Sequence, residues 1–105
     1  KVKTYWGDAF ESIKKVKDQK YDKIFVDLND DDFCINLAAK NMKGLKRILK
    51  PGGVITAQAG CFSKNPKQVK NWLGVLENNF GNVKLSEVFI PSFDCRWSFA
   101  SSLSK

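Results

Sequence analysis

The sequence predicts an α/β fold with a mostly parallel sheet and an antiparallel hairpin at its carboxyl end. Short apolar segments of β character alternate with segments whose apolar residues recur at helical spacing, in the order β-α-β-α-β-α-β-β. Strands joined through helices run parallel and are covered on both faces. The last two strands have no helix between them, so they must run antiparallel.

In the first half of the chain we expect two strands and two helices. The first strand spans 2–6, where β-branched and aromatic residues alternate with others, and the second spans 24–26, a run short and apolar enough to be buried on both faces. A helix follows each strand, the first over 9–16. The second has its apolar face at Ala38, Met42, Leu45 and Leu49, and it ends at 51–53, a Pro-Gly-Gly sequence.

In the second half we expect a strand over 54–57 and then a helix that begins at Pro66 with Asn65 as its cap. The apolar face of this helix gives the clearest periodicity in the chain, at Val69, Trp72, Leu73, Leu76 and Phe80. Strands over 83–90 and 96–103 then form the closing hairpin. Trp97 and Phe99, in the last strand, are expected in the core.

The composition fits one domain, over residues 1–105, with one modest core. Apolar residues make up 43% of the chain, which argues against disorder. No apolar run is long enough to cross a bilayer, so we expect no membrane partner. The chain begins at Lys1 rather than at methionine, which indicates a fragment, a trimmed chain or a processed product.

The net charge of +7 comes almost entirely from lysines, which fall in three stretches on the polar faces or ends of predicted helices. Solvated helix faces explain them. A nucleic-acid partner is disfavoured, because the aromatic residues lie on apolar faces and are not interleaved with the lysines. Three cysteines and no CxxC sequence argue against a disulfide framework and for reduced thiols in a cytoplasmic protein.

There is no histidine, so acid–base chemistry must fall to carboxylates, lysine or tyrosine. Ligands of open parallel sheets bind beyond the carboxyl ends of the strands. The loops that follow the predicted strands should therefore converge on one rim, and Asp8 and Asp27 should share a cleft there. These loops are 7–9, 27–32, 58–60 and 92–94.

The loop 27–32 is the most informative, because it carries Asp27, Asp30, Asp31 and Asp32 in a basic protein. Crowded carboxylates repel one another, and a cationic amine would relieve that repulsion. The alternative for Asp31 and Asp32 is a helix start, where aspartate is favoured. For the loops 7–9 and 58–60, an ordinary turn and a polar strand end remain the alternatives.

Together these segments resemble the polyamine aminopropyltransferase, or spermidine synthase, family. Residues 7–11 (GDAFE) are similar to the family's GDGFEF, and 21–27 (YDKIFVD) to its FDVIIxD. Three more segments correspond in order: 45–54 to LKxxLKPGGV, 58–60 to QxG, and 91–93 to the start of PTYPSG. The aromatic strand from Trp97 matches as well. LKPGGV alone is shared by many methyltransferases of the same fold.

The resemblance implies a Rossmann-like, methyltransferase-type fold that lacks its first two strands here. It implies transfer of an aminopropyl group from decarboxylated S-adenosylmethionine, as co-substrate, to a diamine such as putrescine. By the same resemblance Asp27 is the catalytic base, and the nucleoside is held by Gly7, Asp8 and Ala9. The amine substrate is held by Asp30, Gln58 and Phe93. No tightly bound cofactor and no metal are implied.

Three departures keep alternatives open. The family reads DSSDPxGPA where residues 27–33 read DLNDDDF, so the proline and glycine of its acidic loop are gone. Phe93 replaces the family's substrate-side tyrosine, and residues 94–96 replace the glycine turn after it, which would place the Arg96 cation near an amine site. A methyltransferase of the same fold and a catalytically inactive domain are therefore the rival predictions. We also expect the missing strands to come from the rest of the parent chain or from a homo-oligomer partner. The fragment alone is then expected to be inactive.

Overall fold

A computed structural model describes residues 2–28 and 31–104. Its helices are α1 (Ala9–Ile13), α2 (Asp32–Lys40), α3 (Met42–Ile48) and α4 (Pro66–Phe80). Its strands are β1 (Tyr21–Val26), β2 (Leu49–Cys61), β3 (Lys84–Ile90) and β4 (Cys95–Leu103). A single 3₁₀ turn, Pro91–Phe93, joins β3 to β4.

The four strands form one sheet in the order β1-β2-β4-β3. β1 and β2 run parallel, with Val26 opposite Ala57. β4 runs antiparallel to both β2 and β3. The predicted α/β class and the closing antiparallel hairpin are confirmed. One of the three strand pairings in the described chain is parallel, because β4 is inserted between β2 and β3.

The predicted strand over 2–6 is wrong. This segment is in no helix or strand, and the side chains of Val2, Tyr5 and Trp6 are largely exposed. A strand requires a neighbour to pair its backbone groups. The described residues offer this segment no such neighbour, so it does not form a strand despite its β propensity.

The helix predicted to run to Leu49 is divided into α2 and α3 at Asn41. The backbone of Asn41 lies outside the helical region, at φ −104° and ψ 8°, and its side-chain amide donates to the Leu37 carbonyl at 2.8 Å. This side-chain bond to the backbone one turn earlier competes with the helical pattern. Leu49 belongs to β2 and not to the helix.

α4 has the predicted start and apolar face. The Asn65 side chain accepts a hydrogen bond from the Gln68 backbone N–H at 3.2 Å, and Pro66 occupies the first helical position. Val69, Trp72, Leu76 and Phe80 are buried on one side of the helix. They join the core beneath the sheet.

The helices cover one face of the sheet, which we call the covered face. It presents small buried residues of the two central strands: Ala57 and Ala59 on β2, and Ala100 on β4. The opposite face, the open face, carries Phe25, Thr56, Gln58, Trp97 and Phe99. Phe25 is 74% exposed, so the prediction that β1 is buried on both faces is wrong for the described part of the chain.

A disulfide joins Cys61, at the end of β2, to Cys95, at the start of β4. The expectation of reduced thiols is therefore wrong for this pair. The physical reason is the antiparallel pairing of β2 with β4, which leaves the two Cα atoms 6.1 Å apart. That distance lies within the range that a disulfide spans. In residues 2–28 and 31–104, no helix combines the length and the hydropathy of a membrane span.

Candidate functional site

The open face carries a cavity of about 340 Å³ at the carboxyl end of β1, which we call the open-face pocket. Its wall is formed by strand residues and by the turn between β3 and β4: Phe25, Val26, Asp27, Thr56, Gln58, Ile90, Phe93, Trp97 and Phe99. Aromatic and aliphatic side chains dominate the wall. Asp27, Gln58 and Phe93, from three of the loops predicted to converge, line this pocket, although residues 58–60 form part of β2 and not a loop after it.

Asp27 alone carries a charge among the described residues that line this pocket. Asp27 follows β1 directly and is exposed to solvent. No ion pair of Asp27 occurs among residues 2–28 and 31–104. A carboxylate at the edge of a largely apolar pocket suits a cationic ligand with an apolar body, because the charge attracts the cation and the wall contacts the rest of the ligand.

Gln58 connects two sides of the pocket through its side-chain amide. Its Nε2 donates to the Leu28 carbonyl at 2.6 Å, and its Oε1 accepts a hydrogen bond from the Trp97 indole Nε1–H at 2.9 Å. Leu28 follows Asp27 in the chain. The amide therefore links the exit of β1 to an aromatic side chain of β4, across the central strand of the site.

Phe93 and Trp97 form an aromatic pair, with ring centroids 4.5 Å apart and ring planes at 45°. The turn that carries Phe93 is also held by Lys64, whose Nζ donates to the Phe93 carbonyl at 3.1 Å. Aromatic faces attract cations within about 6 Å of the ring centre. The pair thus gives the pocket a second feature, besides Asp27, that suits an amine.

The loop 7–9 lies elsewhere. Asp8 caps α1, and its Oδ1 accepts a hydrogen bond from the Phe10 backbone N–H at 2.9 Å. Gly7 precedes it at φ +123°, and Ala9 begins the helix. None of the three lines the open-face pocket. Their role in nucleoside binding, and the cleft shared by Asp8 and Asp27, stay predictions.

The loop 27–32 carries three aspartates besides Asp27, and two of them, Asp31 and Asp32, lie at the start of α2. Asp31 caps α2, with its Oδ1 accepting a hydrogen bond from the Cys34 N–H at 2.8 Å, and Asp32 lies in the first helical turn. The helix-start alternative is therefore confirmed for both. Asp30, predicted to hold the substrate ammonium, lies outside the described residues.

Sequence reasoning placed Trp97 and Phe99 in the core, and this is wrong. Both are partly buried in the pocket wall on the open face. The signal was present in β4, where Ser98, Ala100 and Ser102 alternate with them and are buried on the covered face. Small side chains let helices pack closely against a sheet, so the large aromatics must point the other way.

Arg96 does not enter the pocket either. It alternates with Trp97 along β4, so it lies on the opposite side of the sheet, and its Nε is 3.6 Å from Glu87 Oε2. The expected repulsion between Arg96 and an amine ligand therefore loses its geometric basis.

A second cavity, of about 300 Å³, lies between α1 and α3, beside Phe10 and Arg47. The Arg47 guanidinium is already bound, at 2.7 Å each, to the Ile13 and Val16 carbonyls and to the Asp18 carboxylate. These contacts fasten α1 and the loop after it to α3. Arg47, the main polar group beside this cavity, therefore has a structural role. The open-face pocket is the candidate site.

The architecture matches solved spermidine synthases. The spermidine synthase of Thermotoga maritima superposes with a TM-score of 0.76 at 18% identity, over 94% of this chain and 34% of that chain. A spermidine synthase in complex with the transition-state analogue AdoDATO gives 0.75 at 18% identity, over 90% of this chain and 33% of that chain. The chain thus has the Rossmann-like fold of these enzymes.

The sequence comparisons are more specific. The model of the spermine/spermidine synthase domain matches residues 1–105, and the chain belongs to this family. A polyamine aminopropyltransferase of Prochlorococcus marinus (strain MIT 9215) is 32% identical over 97% of this chain. Polyamine aminopropyltransferase 1 of Hyperthermus butylicus is 30% identical over 82% of it. The chain spans 38% of the first relative and 32% of the second.

Proposed function

We propose that the protein carrying this chain transfers an aminopropyl group from decarboxylated S-adenosylmethionine to a diamine such as putrescine. The observation that carries the proposal is that Asp27 lines the same pocket as the Phe93–Trp97 pair, in a chain of the spermine/spermidine synthase family. A pocket lined by a carboxylate and by aromatic rings suits an alkylammonium ion.

In the proposed reaction Asp27 acts as the base. The Asp27 carboxylate accepts a proton from one ammonium group of the diamine, and the freed nitrogen lone pair attacks the methylene carbon beside the sulfonium. A C–N bond forms as the C–S bond breaks. The bonding pair returns to sulfur, and methylthioadenosine leaves as a neutral thioether. Proton transfer by a positioned group contributes typically about 10²- to 10⁴-fold to such a rate.

Other residues have roles that we propose on the resemblance. Gly7, Asp8 and Ala9 contact the nucleoside of the co-substrate, while Asp30 and Gln58 contact the amine. Phe93 contacts the amine through its ring, because it has no hydroxyl group. The described part of the chain contains no cluster of three potential metal ligands among its His, Cys, Asp and Glu residues. We assign no step to a metal.

The rest of the parent chain completes the site in this proposal. The open face lacks a covering layer in the described chain, and β1 has β2 as its one strand neighbour there. Further strands and helices, from the parent chain or from a homo-oligomer partner, would supply a cover for the open face and a second strand neighbour for β1. Residues 1–105 are then one part of a larger domain in a cytoplasmic enzyme, inactive when separated from it.

A catalytically inactive domain is the second candidate, favoured by Phe93 at the position of the family's tyrosine and by the altered acidic loop. Asp27→Asn in the intact protein decides between the two. We expect a loss of aminopropyl transfer of about 10²-fold or more with the fold intact. Asp31→Asn, at the helix cap, is the matched control. Equal turnover in Asp27→Asn and the parent protein, or none in the parent, would support the inactive domain.

The identity of the nucleoside is tested separately. The intact protein should bind decarboxylated S-adenosylmethionine in preference to S-adenosylmethionine, as measured by calorimetric titration of each. The opposite preference would identify a methyltransferase of the same fold. Tight, stoichiometric binding of either nucleoside by residues 1–105 alone would contradict the proposal that this part is incomplete.

A further inference from the structure

The amide of Gln58 is committed to the protein itself on both of its polar atoms. Nε2 donates to the Leu28 carbonyl at 2.6 Å, and Oε1 accepts from the Trp97 indole at 2.9 Å. Leu28 lies one residue after the candidate base, and the Trp97 ring packs against Phe93 at a tilt. One side chain therefore joins two walls of the open-face pocket: the acidic wall, which carries Asp27, and the aromatic wall, which is the Phe93–Trp97 pair.

The direction of Gln58 is fixed by the backbone around it. The pairing of β2 with β4 shifts register between Gln58 and Gly60, which marks a bulge. Gly60 has φ +104°, and a Cβ there would lie 2.6 Å from Gln68 Nε2. Buried Gln68 donates to the Ala59 carbonyl at 3.0 Å, within the bulge. The helix α4 thus holds the bulge from the covered face.

We propose that Gln58 is a positioning residue that sets the distance between Asp27 and the Phe93–Trp97 pair, and so selects the length of the amine that fits. The inference rests on the proposed function. It goes beyond a direct contact of Gln58 with substrate, because the effect is exerted through Leu28 and Trp97. A diamine that spans the two walls places one nitrogen at the carboxylate and its other end against the rings.

Only an amide serves both bonds. A carboxylate at position 58 still accepts from the Trp97 indole, but it has no proton to donate to the Leu28 carbonyl. An apolar side chain of similar length makes neither bond. The bonds to Leu28 and Trp97 also reinforce each other, because the donor and acceptor of one amide polarise together. Replacing Gln58 therefore allows the two walls to move independently.

The test uses the intact protein and three variants: Gln58→Met, Gln58→Glu and, as the matched control, Ser101→Ala. The control removes another side-chain hydrogen bond between β2 and β4, that of Ser101 with Thr56 at 2.8 Å, without touching the link from Leu28 to Trp97. The first measurement is hydrogen exchange of the Trp97 indole N–H by NMR, with its resonance assigned by its disappearance in Trp97→Phe. The second is kcat/KM for putrescine and for shorter and longer straight-chain diamines.

We expect Gln58→Met to accelerate indole exchange about tenfold and to reduce the preference among diamines about tenfold, largely through KM. Gln58→Glu should keep the indole protected and still lose the preference. Ser101→Ala should change neither quantity. An unchanged preference in both Gln58 variants overturns the proposal, as does unchanged exchange in Gln58→Met. If the parent protein transfers no aminopropyl group, the proposed function fails, and exchange alone decides whether Gln58 holds the two walls.

Discussion

The two faces of the sheet are built from the same strands but differ in completeness. On the covered face, Ala57 and Ala100 are fully buried against helices that belong to this chain. On the open face, Phe25 is largely exposed, and the wall around Gln58 and Trp97 is only partly buried. The comparison indicates that the stability of this unit comes from one face, whereas the chemistry that we propose for it depends on the other.

The largest expected effect comes from a comparison of two tryptophans, one on each face of the sheet. Trp72, on α4, is 2% exposed in the core, whereas Trp97 lies in the wall of the open-face pocket. Trp72→Ala should lower the free energy of unfolding by about 3–5 kcal/mol, the range for large core truncations. Trp97→Ala should cost clearly less, as measured by urea unfolding of both variants. Equal costs would remove the distinction between the faces.

The disulfide should have the next largest effect. Cys61 and Cys95 are 34 residues apart in sequence, and cross-linking them restricts the unfolded chain. The chain-entropy relation gives about 3–4 kcal/mol for a loop of this size. Reduction by a dithiol should lower the melting temperature of the parent protein and leave that of Cys61→Ser unchanged. Mass spectrometry after thiol alkylation of protein from the cytoplasm shows whether the bond forms there.

Phe25 provides a smaller test, which asks whether the open face is covered in the intact protein. If other parts of the parent chain bury this ring, Phe25→Ser should destabilise the intact protein by about 1–3 kcal/mol through lost apolar burial. Phe89→Ser, beside Arg96 on the opposite side of the sheet, is the control and should cost less. An effect within about 0.5 kcal/mol, as for ordinary surface positions, would show that the ring stays exposed.

The smallest effect concerns the two aspartates. Asp31→Ala removes the cap of α2 and should cost about 1 kcal/mol of stability. Asp27→Ala should cost less, because its side chain lines a pocket and caps no helix. Thermal unfolding of the two variants, compared with their activities, separates the carboxylate that caps a helix from the one that we propose as the catalytic base. A larger loss of stability in Asp27→Ala would contradict this separation.

The sequence predicted α4 and the closing hairpin well because local signals agree there. Asn65 and Pro66 mark the helix start, and the apolar periodicity that begins at Val69 defines its buried side. The loss of the strand over 2–6 and the exposure of Phe25 were not predictable. Both depend on which neighbours are present, and local patterns carry no information about absent neighbours.

The sequence also predicted that Asp27, Gln58 and Phe93 would lie near one another, and they line one pocket, while their roles stay predictions. Asp27 follows β1, Phe93 lies in the turn after β3 and Gln58 lies near the carboxyl end of β2, so the sheet topology brings the three together. Asp8 follows a segment that forms no strand in the described chain, and it does not line this pocket. The link between Gln58, Leu28 and Trp97 depends on a bulge in β2. The position of that bulge is a tertiary feature that residue types do not reveal.

Among the described residues the outer edge of β1 pairs with no strand, which has a practical consequence for anyone who produces residues 1–105 in isolation. A free strand edge beside an exposed ring such as Phe25 is a template for pairing with a second copy. The isolated polypeptide should therefore associate with itself as its concentration rises. Its solubility and its apparent size in solution will depend on that association.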